Sequence, residues 1–153
     1  MNETVDVRRP ASAGWIRGGL ALISVGALSV GVWALFLPAS FYEDFPLPGR
    51  GWVSALGPYN EHLVRDVGAM NLAFGMLLAL SAGLLDLRLV QVSLAAYLVY
   101  TVPHFLFHLT HTRAFSVGDN LAILILLGLL VVLPVAILIH SGLHGRNRRE
   151  EGQ

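Results

Sequence analysis

Cysteine and lysine are both missing from this 153-residue chain, and charged residues make up only 13% of it. The missing cysteine excludes disulfides, thiolate catalysis, iron–sulfur clusters and Cys-ligated zinc. The scarcity of charge excludes an ordinary soluble domain, in which about a quarter of residues are charged. Ten arginines balance ten acidic residues. No basic excess is left to hold nucleic acid. A hydrophobic content of 55% also excludes a disordered chain. These absences leave a membrane protein.

Crossing about 30 Å of hydrocarbon takes ~20 apolar residues in a helix. Four stretches qualify, at about 15–38, 61–85, 89–111 and 120–141, and their deep parts lack Asp, Glu and Arg. The expected fold is all-α: an integral membrane four-helix bundle in a single transmembrane domain, with tails 1–14 and 142–153. The lipid bilayer is its first partner. Arg8 and Arg9 resemble the start of a signal peptide. However, the apolar run from Gly18 to Leu37 is longer than a signal core, and no small-x-small site follows it. The first stretch therefore reads as a retained anchor, and the Asn2-Glu3-Thr4 sequon as cytoplasmic and inert.

Arginine placement sets the orientation. Arg8, Arg9, Arg17, Arg88, Arg146, Arg148 and Arg149 fall on one side, against Arg50, Arg65 and Arg113 on the other. The richer side is cytoplasmic, which puts both termini there. Asp86-Leu87-Arg88 leaves room only for a tight hairpin between the second and third helices. The outer loop, 39–60, is long, aromatic and rich in Pro and Gly. Its Phe41, Tyr42, Phe45, Trp52 and Tyr59 suit the headgroup belt. It is expected to lie in the interface as a partial lid, or simply as an aromatic anchor.

Polar residues gather at the outer end. The second helix opens with Glu61, His62, Arg65 and Asp66; the third ends with His104, His108 and His111; the fourth opens with Asp119 and Asn120. At about 100° per residue, His104, His108 and His111 share one stripe of the third helix, and Tyr97, Tyr100 and Thr101 extend it inward. Such a stripe is expected to face the bundle interior. Glu61 can pair with Arg65, and His62 with Asp66, at four-residue spacing. Asn71 lies deeper, away from Asp66, and reads as a hydrogen bond to another helix.

Three chemistries compete for this cluster. The first is a divalent metal site made of His104, His108 and His111, with Asp66 or Glu61 as the carboxylate, since His at i and i+4 is a good chelating pair. The second is a proton or quinone site: the histidines titrate near neutral pH, a tyrosine below them continues a hydrogen-bonded path, and a quinone headgroup accepts from His104 or Tyr100 with its tail between helices. A bis-histidine haem would need His62 as its second ligand. The third is structural: Glu61, Arg65, Asp66 and the histidines satisfy one another and tie the helix ends together. If the site is catalytic, His104 and His108 ligate or transfer protons, Asp66 orients them, and Arg65 holds an anion or pairs with Glu61. Asp119 reads as the N-cap of the last helix, and Gly68 and Gly75 as points of close helix packing. Four helices without a deep charge or an inverted repeat do not make a transporter pattern.

Arg65-Asp66-Val67-Gly68 places an Arg-Asp-x-Gly segment at the start of the second helix. With the chain's size and helix count, it resembles the DoxX-like group of small four-helix bacterial membrane proteins, over about residues 15–141. The strings Gly57-Pro58-Tyr59-Asn60-Glu61-His62-Leu63-Val64-Arg65-Asp66 and Pro103-His104-Phe105-Leu106-Phe107-His108 resemble an uncharacterised subgroup. Some relatives of the group are linked to quinone-coupled sulfur redox chemistry, and others to membrane oxidoreductase assemblies. The resemblance implies a multi-pass protein of the bacterial inner membrane. It also implies a membrane oxidoreductase subunit as partner; a second copy of the chain is the other partner expected. The functional expectation is a metal, quinone or proton site in a redox-linked complex. The alternative is a non-enzymatic accessory or scaffold subunit whose cluster is a structural polar network.

Overall fold

A computed structural model describes residues 11–150, with side chains over 13–141. The side chains of Arg8, Arg9, His144, Arg146, Arg148 and Arg149, and the Asn2 sequon, lie outside the described residues. The elements in chain order are α1 (Ala11–Phe36), α2 (Pro38–Asp44), a 3₁₀ turn (Ser54–Leu56), α3 (Glu61–Leu84), α4 (Leu87–Thr110) and α5 (Val117–Glu150). Four of these helices contain spans long and apolar enough to cross a membrane: Ala13–Phe36, Glu61–Leu84, Leu87–Thr110 and Val117–Ser141. The protein is a small, all-α, multi-span membrane protein.

Successive long helices alternate in direction. Arg17 meets Ala82 and Ser24 meets Gly75, so α1 and α3 are antiparallel. Ser81 meets Ser93 and Asn71 meets Tyr100, so α3 and α4 are antiparallel too. α5 returns along α4 and touches α1 where Gly19 faces Ile137. The bundle therefore has a loop end, carrying the 37–60 segment, and a hairpin end, carrying the α3–α4 turn.

Glycines set the closest helix pair. A Cβ on Gly68 would sit 2.5 Å from the Leu35 nitrogen, and one on Gly75 2.7 Å from Leu28 Cγ. A Cβ on Gly31 would sit 2.7 Å from the Leu72 nitrogen. Only the missing side chains let the α1 and α3 backbones touch, the usual route to tight packing between apolar helices in lipid. Ser24 Oγ then reaches the Gly75 carbonyl at 2.8 Å, and Arg17 Nε the Ala82 carbonyl at 3.0 Å.

The hairpin end is closed by an apolar core of Leu20, Ile23, Leu78, Ala82, Val90, Leu94, Tyr97 and Ile137. Within it, the Ser81 and Ser93 hydroxyls lie 2.9 Å apart. The turn beneath is tight, as expected from its length. Leu85 takes a left-handed cap (φ 51°), and Asp86 Oδ1 accepts from the Leu89 N–H at 2.8 Å, capping α4.

At the loop end, α1 stops at Phe36 instead of running to Pro38, because proline has no N–H to extend the ladder. Pro38 instead opens the short α2, which buries Phe41 against Ala34 and Val64. Trp33, Phe45 and Val53 pack around this cluster. The loop is thus an ordered aromatic cap seated on α1 and α3.

Candidate functional site

The side chains foreseen at the loop end separate into three groups. The first is a pair of exposed ion pairs on α3. Arg65 Nε and NH2 both stand 2.8 Å from Glu61 Oε1. Its NH1 donates to the Leu35 carbonyl, beside the break at Pro38. His62 Nε2 lies 3.3 Å from Asp66 Oδ2, and both side chains are open to the surroundings, at 88% and 61% exposure. Asp66 therefore orients His62 and not His104 or His108.

The second group runs down α4. Tyr100 stacks on Phe74 of α3 with ring centroids 5.8 Å apart and planes 18° apart. Asn71 Nδ2 donates to the Tyr100 hydroxyl at 3.3 Å and to the Val67 carbonyl at 2.9 Å. One turn on, the His104 ring lies 5.8 Å from Tyr100 and 5.0 Å from His108. His104 is exposed, whereas His108 is buried at 8% exposure. Phe107 and Phe115 flank His108, with centroids at 5.6 and 5.9 Å. His108 Nδ1 is buried without a hydrogen-bond partner among the described residues. Tyr97 sits deeper, buried edge-on to Phe74 at 5.6 Å.

His111 leaves this stripe. α4 ends at Thr110, and His111 is its cap at φ −113°, ψ 60°, so the helical phase no longer applies. Its ring stacks on Phe107 at 4.1 Å, and its Nδ1 lies 2.9 Å from both Thr110 Oγ1 and the Phe107 carbonyl. The four-residue metal set of His104, His108, His111 and Asp66 is therefore not assembled. Among the described residues, no group of three or more His, Asp or Glu side chains is placed to hold a metal ion. The physical reason is rotation: Asp66 points to the exposed face of α3, and His111 turns back along its own helix.

The third group was not foreseen. Asp119 is not the N-cap of α5. Ser116 is, since its Oγ accepts from the Asp119 N–H at 3.1 Å. Asp119 sits in the first turn and accepts from Arg50 NH1 at 3.1 Å and Trp52 Nε1 at 3.0 Å. These partners are 69 and 67 positions away in sequence, and no local pattern points to them. Asn71 makes the helix-to-helix hydrogen bond expected of it, and its partner is Tyr100 of the α4 stripe. Its signal was a lone carboxamide deep in an apolar stretch. Near the ion pairs, the Tyr59 hydroxyl is held above the usual phenol range, first by desolvation and then by the Glu61 carboxylate.

Chemically, the α4 stripe is a wall of hydrogen-bonding rings. The Tyr100 oxygen already accepts from Asn71, which leaves its own proton to donate. Neutral imidazoles at His104 and His108 can each donate and accept. The hydrogen bonds and ring contacts between α3 and α4 run from Ser81–Ser93 up to Asn71–Tyr100. His104 and His108 lie beyond them, towards the loop end. Comparison with protein families, curated proteins and solved structures gives no match to this chain.

Proposed function

We propose that Tyr100, His104 and His108 form a hydrogen-bonding site for a quinone-type headgroup within the membrane, in a redox-linked assembly. The observation that carries this reading is His108 Nδ1, buried and without a partner. A buried polar atom of this kind calls for one. The residues fit a flat ring that accepts hydrogen bonds when oxidised and donates them when reduced. Tyr100 supplies a committed donor, and the two imidazoles supply groups that work either way. Phe74 and Phe115 provide aromatic walls. A quinone held there would supply electron and proton transfer. The chain's own part is to bind, orient and exchange protons at the imidazoles.

The reading extends to placement. Seven arginines against three support cytoplasmic termini and a site towards the outer leaflet, in what the resemblance implies is a bacterial inner membrane. The resemblance to the DoxX-like group, with its redox-linked members, agrees with this. A second reading, an accessory subunit with a structural polar network, is favoured by the Glu61–Arg65 and His62–Asp66 pairs, which are already satisfied.

Solvent extraction and mass spectrometry of detergent-purified protein separate the two. The quinone site predicts close to one quinone per chain, lost from a folded His104→Gln/His108→Gln variant. No quinone in the parent, with parent and variant equally stable, favours the accessory subunit.

A further inference from the structure

The loop and α5 are joined through one carboxylate. Arg50 NH1 and Trp52 Nε1 both donate to Asp119 Oδ1, at 3.1 and 3.0 Å. Ser116 Oγ donates to Oδ2 at 2.7 Å. The residue before Ser116 is Phe115, whose ring stands 5.9 Å from His108. Asn120 Nδ2 holds the Phe115 and Thr112 carbonyls at 3.2 and 2.8 Å. The tie that holds the loop and the wall beside His108 are therefore built on the same first turn of α5.

The two attachments of the loop differ in kind. Its α1 side is fixed by Phe41, buried among Ala34 and Val64 with Trp33 and Phe45 around it. Phe45 carries that anchor forward, because the Trp52 N–H donates to its carbonyl at 2.8 Å and the two rings lie 6.2 Å apart. The α5 side rests on Arg50, whose side chain is 57% exposed. Water and salt compete with an ion pair of that kind. One end is an apolar hinge and the other an exposed polar catch.

We propose that residues 45–56 act as a latch on the first turn of α5: release of Arg50 and Trp52 from Asp119 lets the adjoining turn that carries Phe115 move off His108, and opens access from the aqueous side to it. The latch takes its purpose from the binding site proposed above, but it is tested without any ligand.

The test uses full-length protein in detergent and diethyl pyrocarbonate, with each histidine's modification followed by peptide mass spectrometry. His62, with 88% of its side chain exposed, is the internal reference. In the parent, His108 should react at least about tenfold more slowly than His62, as its burial demands. In Arg50→Gln/Trp52→Phe, which keeps the Ser116–Asp119 cap, His108 should react several-fold faster. High salt should move the parent in the same direction, and Arg50→Lys should stay near the parent. An unchanged His108 rate in the double variant overturns the latch, as does a parent rate equal to that of His62. Trypsin gives a second readout in Asp119→Asn. Cleavage after Arg50 should accelerate while cleavage after Arg88, at the other end, does not. Equal acceleration at both sites overturns the proposal. A chain that binds no quinone but shows the predicted His108 difference keeps the latch and loses only the ligand.

Discussion

The Asn71 amide donates across the α3–α4 seam to the Tyr100 hydroxyl at 3.3 Å. With its second hydrogen on the Val67 carbonyl, both amide protons are used. The arrangement fixes which way Tyr100 donates, and so gives the site a defined polarity. Tyr100→Phe should keep the stack on Phe74 and leave the fold intact. It should weaken quinone binding about tenfold, the worth of one hydrogen bond of ~1.4 kcal/mol. Asn71→Leu should cost stability as well as binding, because Asn71 is buried and spans two helices. Thermal unfolding and quinone titration of the two variants check this.

Gly68→Ala should be the most damaging small substitution in α3. Its new Cβ would meet the α1 backbone at 2.5 Å, and neither helix can yield without moving the other. A loss of about 1–3 kcal/mol is expected, as for overpacked cores. Gly18→Ala, with nothing within 4 Å of its Cβ, should leave stability unchanged. Thermal unfolding in one detergent compares the pair directly.

Arg65→Ala should destabilise the loop end more than Glu61→Ala does. Both lose the ion pair, but only the first also strips the Leu35 carbonyl of its donor near the break in α1. Arg65→Lys should recover only part of the loss, since an ammonium cannot span both acceptors in a planar fork. Hydrogen exchange over residues 33–45 reads the effect locally.

Ser81 and Ser93 give a test of the hairpin end. A double-mutant cycle to alanine should return a coupling of about 0.6 kcal/mol, typical of hydrogen bonds between membrane helices. The value stays small because the two hydroxyl protons are shared among three contacts, Ser81 to the Leu77 carbonyl at 2.8 Å, Ser93 to the Leu89 carbonyl at 2.6 Å and the one between the hydroxyls.

The four spans were legible because lipid forces long uninterrupted apolar runs, and Asp86-Leu87-Arg88 leaves no room for anything but a hairpin. Gly68 and Gly75 were legible as packing points because they lie seven residues apart on one face. The ion pairs within α3 follow from four-residue spacing. Rotation of one helix against another was not legible. Spacing puts Asp66 at the same level as the histidines, but only the α1–α3 glycine seam decides that it faces away from α4. His111 was misread for a different reason: helical phase was carried one residue past the end of its helix. The Arg50–Trp52–Asp119 tie joins residues about half the chain apart, and nothing local announces it.

The central claim, that Tyr100, His104 and His108 bind a quinone-type headgroup, is tested most directly by calorimetric titration. The ligand is a short-chain quinone, and the protein is parent, Tyr100→Phe and His104→Gln/His108→Gln in one detergent. A saturable one-to-one isotherm in the parent is predicted, about tenfold weaker in Tyr100→Phe and lost in the histidine variant. No saturable binding in the parent, or equal affinity in all three chains, would contradict it.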